Sequence, residues 1–345
     1  MNISAADPRH RRALRLACGV ACGTALGFGL ALPLPFLTPM LVLVLLASSN
    51  QPLSAKAGLG LALVVTLACG SGLLLSPLLR HSPVSGVLLV ALCLFFSFRF
   101  ALRGGNGLLS TLLVVGLTMI SAAGTASLAL GQTVVEALVK AVLLTTLCVA
   151  FSHLLFPEPS GLPPASKDPT MDNGRSSWIA LRAMLVVMPA WLLALIDPAS
   201  YMPLVMKSVN LGQQVCSTSA RDAGRELLGS TLLGGALAML FWTLLSILPQ
   251  LWMFFLLMLL FILLLARRLY QLVANRLSAG FWLNACTTLI ILLGQSVQDS
   301  AAGKDVYTAF AIRMGLFILV TLYACAAVHL IDQRAQTPTK ESPCS

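Results

Sequence analysis

Apolar residues run through this chain in long blocks, broken by short polar punctuation. "LACGVACGTALGFGLAL" (residues 16–32) and "LWMFFLLMLLFILLLA" (residues 251–266) are two such blocks. Each approaches the ~20 residues needed to cross a ~30 Å hydrocarbon layer. Only helices and closed barrels satisfy their backbone in lipid, and these runs lack the period-two alternation of a barrel strand. The pattern predicts an all-α polytopic membrane protein of about twelve transmembrane helices. Their expected spans are residues 14–32, 36–49, 58–75, 84–102, 107–123, 134–155, 178–196, 202–215, 227–248, 251–269, 281–293 and 306–330. One Pro/Gly/Ser-rich polar stretch, "PEPSGLPPASKDPTMDNGRSS" (157–177), reads as a linker.

The two sides of that linker resemble each other. "ALRL" (13–16) matches "ALRA" (180–183), "TPM" (38–40) matches "MPL" (202–204), "AKAG" (55–58) matches "RDAG" (221–224), and "AFSHLLF" (150–156) matches "AAVHLID" (326–332). The matches keep their order at nearly constant offset. They predict a duplicated six-helix unit at 1–156 and 178–331, with a cytoplasmic linker at 157–177 and a cytoplasmic tail at 332–345. Six is even, so the two copies run parallel, related by an axis along the membrane normal.

The second element of each unit stands out. Residues 36–49 span about 21 Å as a helix, less than the hydrocarbon thickness. Residues 202–215 are equally short. Prolines interrupt both, notably Pro39 and Pro203. Paired short, proline-broken segments are the best sequence pointer to a transporter's binding site.

The second copy also carries polarity. Lys207, Asn210, Gln214, Ser217 and Arg221 recur at spacings of three and four, within an arc of about 80° of helix. A mid-span lysine is costly against lipid. The stripe is therefore expected to face the bundle interior or a water-filled passage, unless Lys207 snorkels to an interface or pairs structurally. The first copy has Leu43 near the place of Lys207, so the site is asymmetric. Lys140 and Arg313 are two further cations inside expected spans. Glu136, four residues before Lys140, offers a helical ion pair as the alternative to a pathway role. A milder stripe, Asn284, Thr288, Gln295 and Asp299, occupies helix eleven and suits interhelical hydrogen bonding.

Composition sharpens the picture. Of 345 residues, 58% are hydrophobic and 10% charged, against roughly 25% charged in soluble domains. The net charge of +10 is explained by topology, without nucleic acid. With the N-terminus inside, seventeen of the 22 basic residues fall on the inner side. Arg80 and Lys304 fall outside, and Lys140, Lys207 and Arg313 within spans. This positive-inside bias puts both termini in the cytoplasm. The nearest carboxylates to the three intramembrane cations are Glu136 and Asp197, close to the outer interface. Such an excess suits an anionic substrate and gives no support to a carboxylate proton relay.

Nine cysteines are scattered through apolar runs, with Cys18 and Cys22 four apart. No metal or cofactor is expected from them. Four dispersed histidines form no HxxxxD, HExxH or GxSxG context, which argues against an enzyme, an integral-membrane transferase included. Glycine-rich stretches such as "GTALGFGLAL" permit close helix contact, either within one chain or in a homo-oligomer.

Within each unit, the short Pro-initiated helix leads to a basic residue and a Gly-studded helix. The stretches are "PFLTPMLVLVLLASSNQPLSAKAGLGLALVVTLACGSG" and "YMPLVMKSVNLGQQVCSTSARDAGRELLGSTLLGG". This arrangement resembles the fusaric acid resistance protein-like family of bacterial inner-membrane exporters, which includes the aromatic carboxylic acid exporters. Arg225, Gly229, Thr231 and Gly234 approximate the family's basic residue and Gly-Thr helix. Lys56, Gly58, Gly60 and Gly70 do so more weakly. The resemblance implies export of small aromatic or amphipathic acids, often with a periplasmic adaptor of the membrane-fusion type. The sizeable cytoplasmic domains of that family have no counterpart here, so this looks like a compact, membrane-only branch. A non-transporting membrane scaffold is the alternative.

Overall fold

The computed structural model describes residues 8–48, 60, 66, 70, 72–105, 107–157, 173–215, 224–274 and 276–335. Every regular element among them is a helix. In chain order these are α1 (Pro8–Gly29), α2 (Leu37–Ser48), α3 (72–81), α4 (Pro83–Leu102), α5 (Gly107–Ala126), α6 (Leu128–Leu155), α7 (Asn173–Ile196), α8 (Pro198–Val215), α9 (Gly229–Ile247), α10 (Leu251–Leu269), α11 (Ala279–Ala301) and α12 (Val306–Ala335). A π turn, Gly224–Leu228, leads into α9. Among the described residues, eight helices are long and apolar enough to cross a membrane. Most of the expected third helix, and residues 158–172 of the linker expected at 157–177, lie outside the described residues; residues 173–177 of that stretch are helical and open α7, five residues before the expected start at 178.

Local chemistry explains the joints. Ser127 alone separates α5 from α6, and its side chain accepts from the Leu130 N–H at 3.0 Å. Ser82 alone separates α3 from α4, with Pro83 at the first helical position, where a missing N–H costs nothing. Asp197 alone separates α7 from α8, and Pro198 again opens the helix. At the same end of the bundle, residues 30–36, 248–250 and 302–305 make the longer joints.

Several helices outrun the expectation. α8 begins at Pro198 rather than Met202, so its 18 residues span about 27 Å, not 21 Å. The Asp197 carboxylate accepts from the Ser200 N–H and adds that first turn. α11 extends to Ala301, eight residues beyond the expected Leu293, and thereby takes Asp299 into the helix. The polar tail of α11 concealed its length because it is sheltered by protein rather than lipid.

Burial sorts the helices into an inner set and an outer ring. The apolar stretches of α5 and α11 are 78% and 83% buried, whereas those of α4 and α12 are 22% and 28% buried. Residues 202–212 of α8 and 37–43 of α2 are buried all round. α2, α5, α8 and α11 therefore form the centre, with α5 against α8, α8 against α11, and α11 against α2. Around them α1 packs on α10, and α7 packs on α4. The outer ring presents Leu88, Leu92 and Phe96 of α4, and Leu256, Leu260 and Leu264 of α10, all exposed at helical spacing. That is the surface a hydrocarbon solvent requires.

Candidate functional site

The centre of the bundle holds a connected network of buried polar side chains where α8, α9 and α11 meet. Gly234 makes that meeting possible. A Cβ there would lie 2.7 Å from the Ala285 carbonyl oxygen and 2.7 Å from Thr288 Cβ. With hydrogen in that place, α9 closes on α11 and brings Ser230 within 2.6 Å of Asn284.

Lys207 projects from α8 into this junction. Its ammonium donates to Asn284 Oδ1 at 2.8 Å and to Thr288 Oγ1 at 2.7 Å. It lies 6.0 Å from the centre of the Phe317 ring of α12. The directions of the network are fixed. Thr288 donates to the Asn284 carbonyl at 2.7 Å, and so accepts from Lys207. Asn284 Nδ2 donates to Ser230 Oγ, which donates to the Glu226 carbonyl in the turn before α9. Lys207 is 0% exposed, as are Asn284, Thr288 and Ser230. The residue thus lies in the bundle interior, one of the two environments expected for it. Its Nζ is packed in protein, so a passage open to solvent at this atom is not what surrounds it. The physical reason is that α8 is enclosed on every side at this level.

Both hydrogen-bond partners of Lys207 are neutral, and an ammonium has three N–H bonds. The third has no acceptor among the described residues, and the Phe317 ring lies 6.0 Å away. Asn210, one turn further along α8, is 7% exposed, and its Nδ2 has no hydrogen-bond acceptor among the described residues. Two unspent donors on one helix, in a water-poor interior, favour a group that brings its own acceptors.

The other expected site residues fall as follows. Gln214 lies in α8, but its side chain is outside the described residues, as are Ser217 and Arg221. Its neighbour Gln213 donates to Thr111 of α5 at 2.7 Å. Pro203 is inside α8, and Pro39 is buried in α2 against Gly23 of α1. Neither proline contributes to the Lys207 network. Lys140 is paired with Glu136, the two being 50% and 61% exposed on α6. It is not brought to the junction.

Arg313 makes a two-pronged ion pair with Asp299, including Nη2 to Oδ1 at 3.0 Å. This revises the count of intramembrane cations. The sequence places Asp299 on a hydrogen-bonding stripe and offers Glu136 and Asp197 as the nearest carboxylates. With α11 extended to Ala301, Asp299 reaches α12 and neutralises Arg313. Of the three cations expected inside spans, Lys207 is then the one whose described hydrogen-bond partners include no carboxylate; Arg15 and Arg182 are also buried. Ser230 was not foreseen as part of the site. Its signal was the small-residue run "GSTLLGG" (229–235), which marks a helix built for close approach.

Helices of this length and surface, with a sequestered polar junction, define a polytopic α-helical membrane protein. Residues 12–152 match a family profile described as "Protein of unknown function (DUF2955)". No curated protein and no solved structure matches. The matched stretch covers α1 to most of α6 and stops well before Lys207.

Proposed function

We propose that this protein is a transporter subunit of the bacterial inner membrane that exports small organic anions, with aromatic or amphipathic carboxylates as the substrate class. The observation that carries the reading is Lys207: a fully buried cation with two neutral partners, beside an unspent Asn210 donor. A carboxylate is the ligand that would use both. In this reading Asn284 and Thr288 hold the ammonium until a carboxylate replaces them.

The architecture this requires is a pair of six-helix halves, and the packing supports it. The packing of α1 on α10 is echoed by α7 on α4, and that of α5 on α8 by α11 on α2. The family match ends at residue 152, close to the boundary of the first half. Parallel halves rocking about a central site are a common transporter arrangement. The basic-residue bias supports cytoplasmic termini, and the resemblance to the aromatic acid exporters suggests a periplasmic adaptor as partner.

The network also favours a second reading, a scaffold in which Lys207 only ties α8 to α11. Lys207→Met separates the two. An apolar residue of similar length removes the buried charge and leaves the Asn284 Oδ1 acceptor without its donor, at about 1–3 kcal/mol, so folding of the variant is checked first. The transporter reading expects a folded variant whose proteoliposomes no longer carry benzoate. Wild-type efflux from a folded Lys207→Met protein, or no benzoate transport by the wild type itself, overturns it.

A further inference from the structure

A crevice of about 540 Å³ opens between the ends of α1, α9 and α11 and the start of α10. It lies at the opposite end from the basic residues of α10, Arg267 and Arg268. Its walls include Phe28, Trp242 and Phe254, with Ser246, Gln250 and Ser300 at polar positions. Phe28 and Phe254 meet edge to face at 5.0 Å. Ser246, Gln250 and Ser300 are exposed, so the crevice communicates with the surface. No acidic or basic side chain lines it.

The backbone supplies its charge. α9 ends at Ile247, and Pro249 has no N–H to return to it. The Leu248 N–H turns back to Leu245 and the Gln250 N–H to Leu248. Among the described residues no backbone N–H returns to the carbonyl of Ser246, which lines the crevice, or to that of its neighbour Ile247, at the negative end of a helix dipole.

Elsewhere at this end the same molecule shows what such a terminus recruits. α5 ends beside α3, and Arg80 of α3 donates to Thr125 O at 2.9 and 3.2 Å and to Gly124 O at 3.1 Å. At the end of α9, no residue of the crevice plays the part of Arg80.

We infer that the crevice between α1, α9, α10 and α11 binds an alkylammonium amphiphile, its N–H groups on the free end of α9 and its cation against the face of Trp242. The volume is that of a small-ligand site. Aromatic faces and electronegative carbonyls attract a cation and repel an anion. The same chemistry is carried by the ethanolamine headgroup of a phospholipid and by a free lipophilic amine. The inference does not depend on anion export, since it uses no residue of the Lys207 network.

The test uses the full chain in a neutral maltoside detergent, titrated with dodecylammonium, dodecanol and dodecyl sulfate, with binding read by calorimetry. Dodecylammonium is expected to bind about tenfold more tightly than dodecanol, the scale of a desolvated cation–aromatic contact. Ser246→Arg, which supplies an internal cation, should abolish that preference. Trp242→Leu should reduce it, which keeps the test open if the arginine variant fails to fold. In a parallel arm, nanodiscs containing phosphatidylethanolamine are analysed by native mass spectrometry. Retention of that lipid by the wild type but not by Ser246→Arg identifies the membrane as the source. Binding of dodecylammonium without lipid retention identifies a free amine. Equal affinity for dodecanol, or undiminished dodecylammonium preference in folded Ser246→Arg and Trp242→Leu proteins, overturns the inference.

Discussion

Gly234→Ala puts one methyl group where the structure has no room. The new Cβ would stand 2.7 Å from a backbone oxygen, Ala285 O, and 2.7 Å from Thr288 Cβ. Non-bonded carbon contacts settle at about 3.5–4.0 Å, so α9 and α11 must part by roughly 0.8–1 Å. The Ser230–Asn284 bond, now 2.6 Å, would stretch toward the limit of a hydrogen bond. Thr288, whose hydroxyl accepts from Lys207, is one of the two groups displaced. Overpacking costs about 1–3 kcal/mol, and each weakened interhelical bond adds about 0.6 kcal/mol.

The expected outcome is a melting temperature several degrees below wild type, together with weaker benzoate binding. Gly315→Ala is the matched control, because nothing lies within 4 Å of its added Cβ. That change should be neutral, or stabilising by up to about 1 kcal/mol from helix propensity. Thermal unfolding in detergent with and without benzoate measures both. If Gly234→Ala melts with the wild type and binds benzoate equally well, the tight approach of α9 and α11 is not what holds the junction together. A fall of the same size in Gly315→Ala would refute the spatial argument.

The two ion pairs should behave oppositely. Asp299→Asn strips the carboxylate from an arginine only 17% exposed and should cost about 3 kcal/mol, partly recovered by adding Arg313→Met. Glu136→Gln touches an exposed pair and should change unfolding by less than about 1 kcal/mol; denaturation of the four proteins reads both. Asp305 predicts an acid-side effect. Its carboxyl is held below the usual carboxylate range, first by the Thr308 hydroxyl and then by the Thr308 and Tyr307 N–H groups, against an opposing desolvation contribution. The resulting stability is present above the ordinary carboxylate pKa and lost as pH falls through the depressed folded value. Melting curves between neutral and acid pH should therefore show a smaller acid-side loss in Asp305→Asn, and parallel curves would contradict the capping role.

Much of the helical frame was legible because lipid demands long apolar runs, and those runs are plain in the sequence. The centre was harder to read. α11 is polar over its last two turns because protein, not lipid, covers Gln295 and Asp299, and a hydropathy pattern stops where the lipid-like run stops. The reach of Asp299 to Arg313 followed from that missed length. Lys207 was conspicuous as a polar residue on an apolar helix. Its partner Asn284 was visible only as a member of a separate stripe, because nothing in one chain says which helices touch. Gly234 carried the answer in principle: a glycine beside Ser230 marks a close contact, but not with what.

The three one-residue joints have a mechanical consequence. Ser82, Ser127 and Asp197 couple α3 to α4, α5 to α6 and α7 to α8 so tightly that neither member of a pair can tilt without dragging the other. The slack at that end belongs to residues 30–36, 248–250 and 302–305, and Pro249 and Gln250 of the middle joint line the Phe28–Trp242 crevice. Any hinge there must therefore sit on one flank only, and the molecule would yawn like a shell with a single stiff seam.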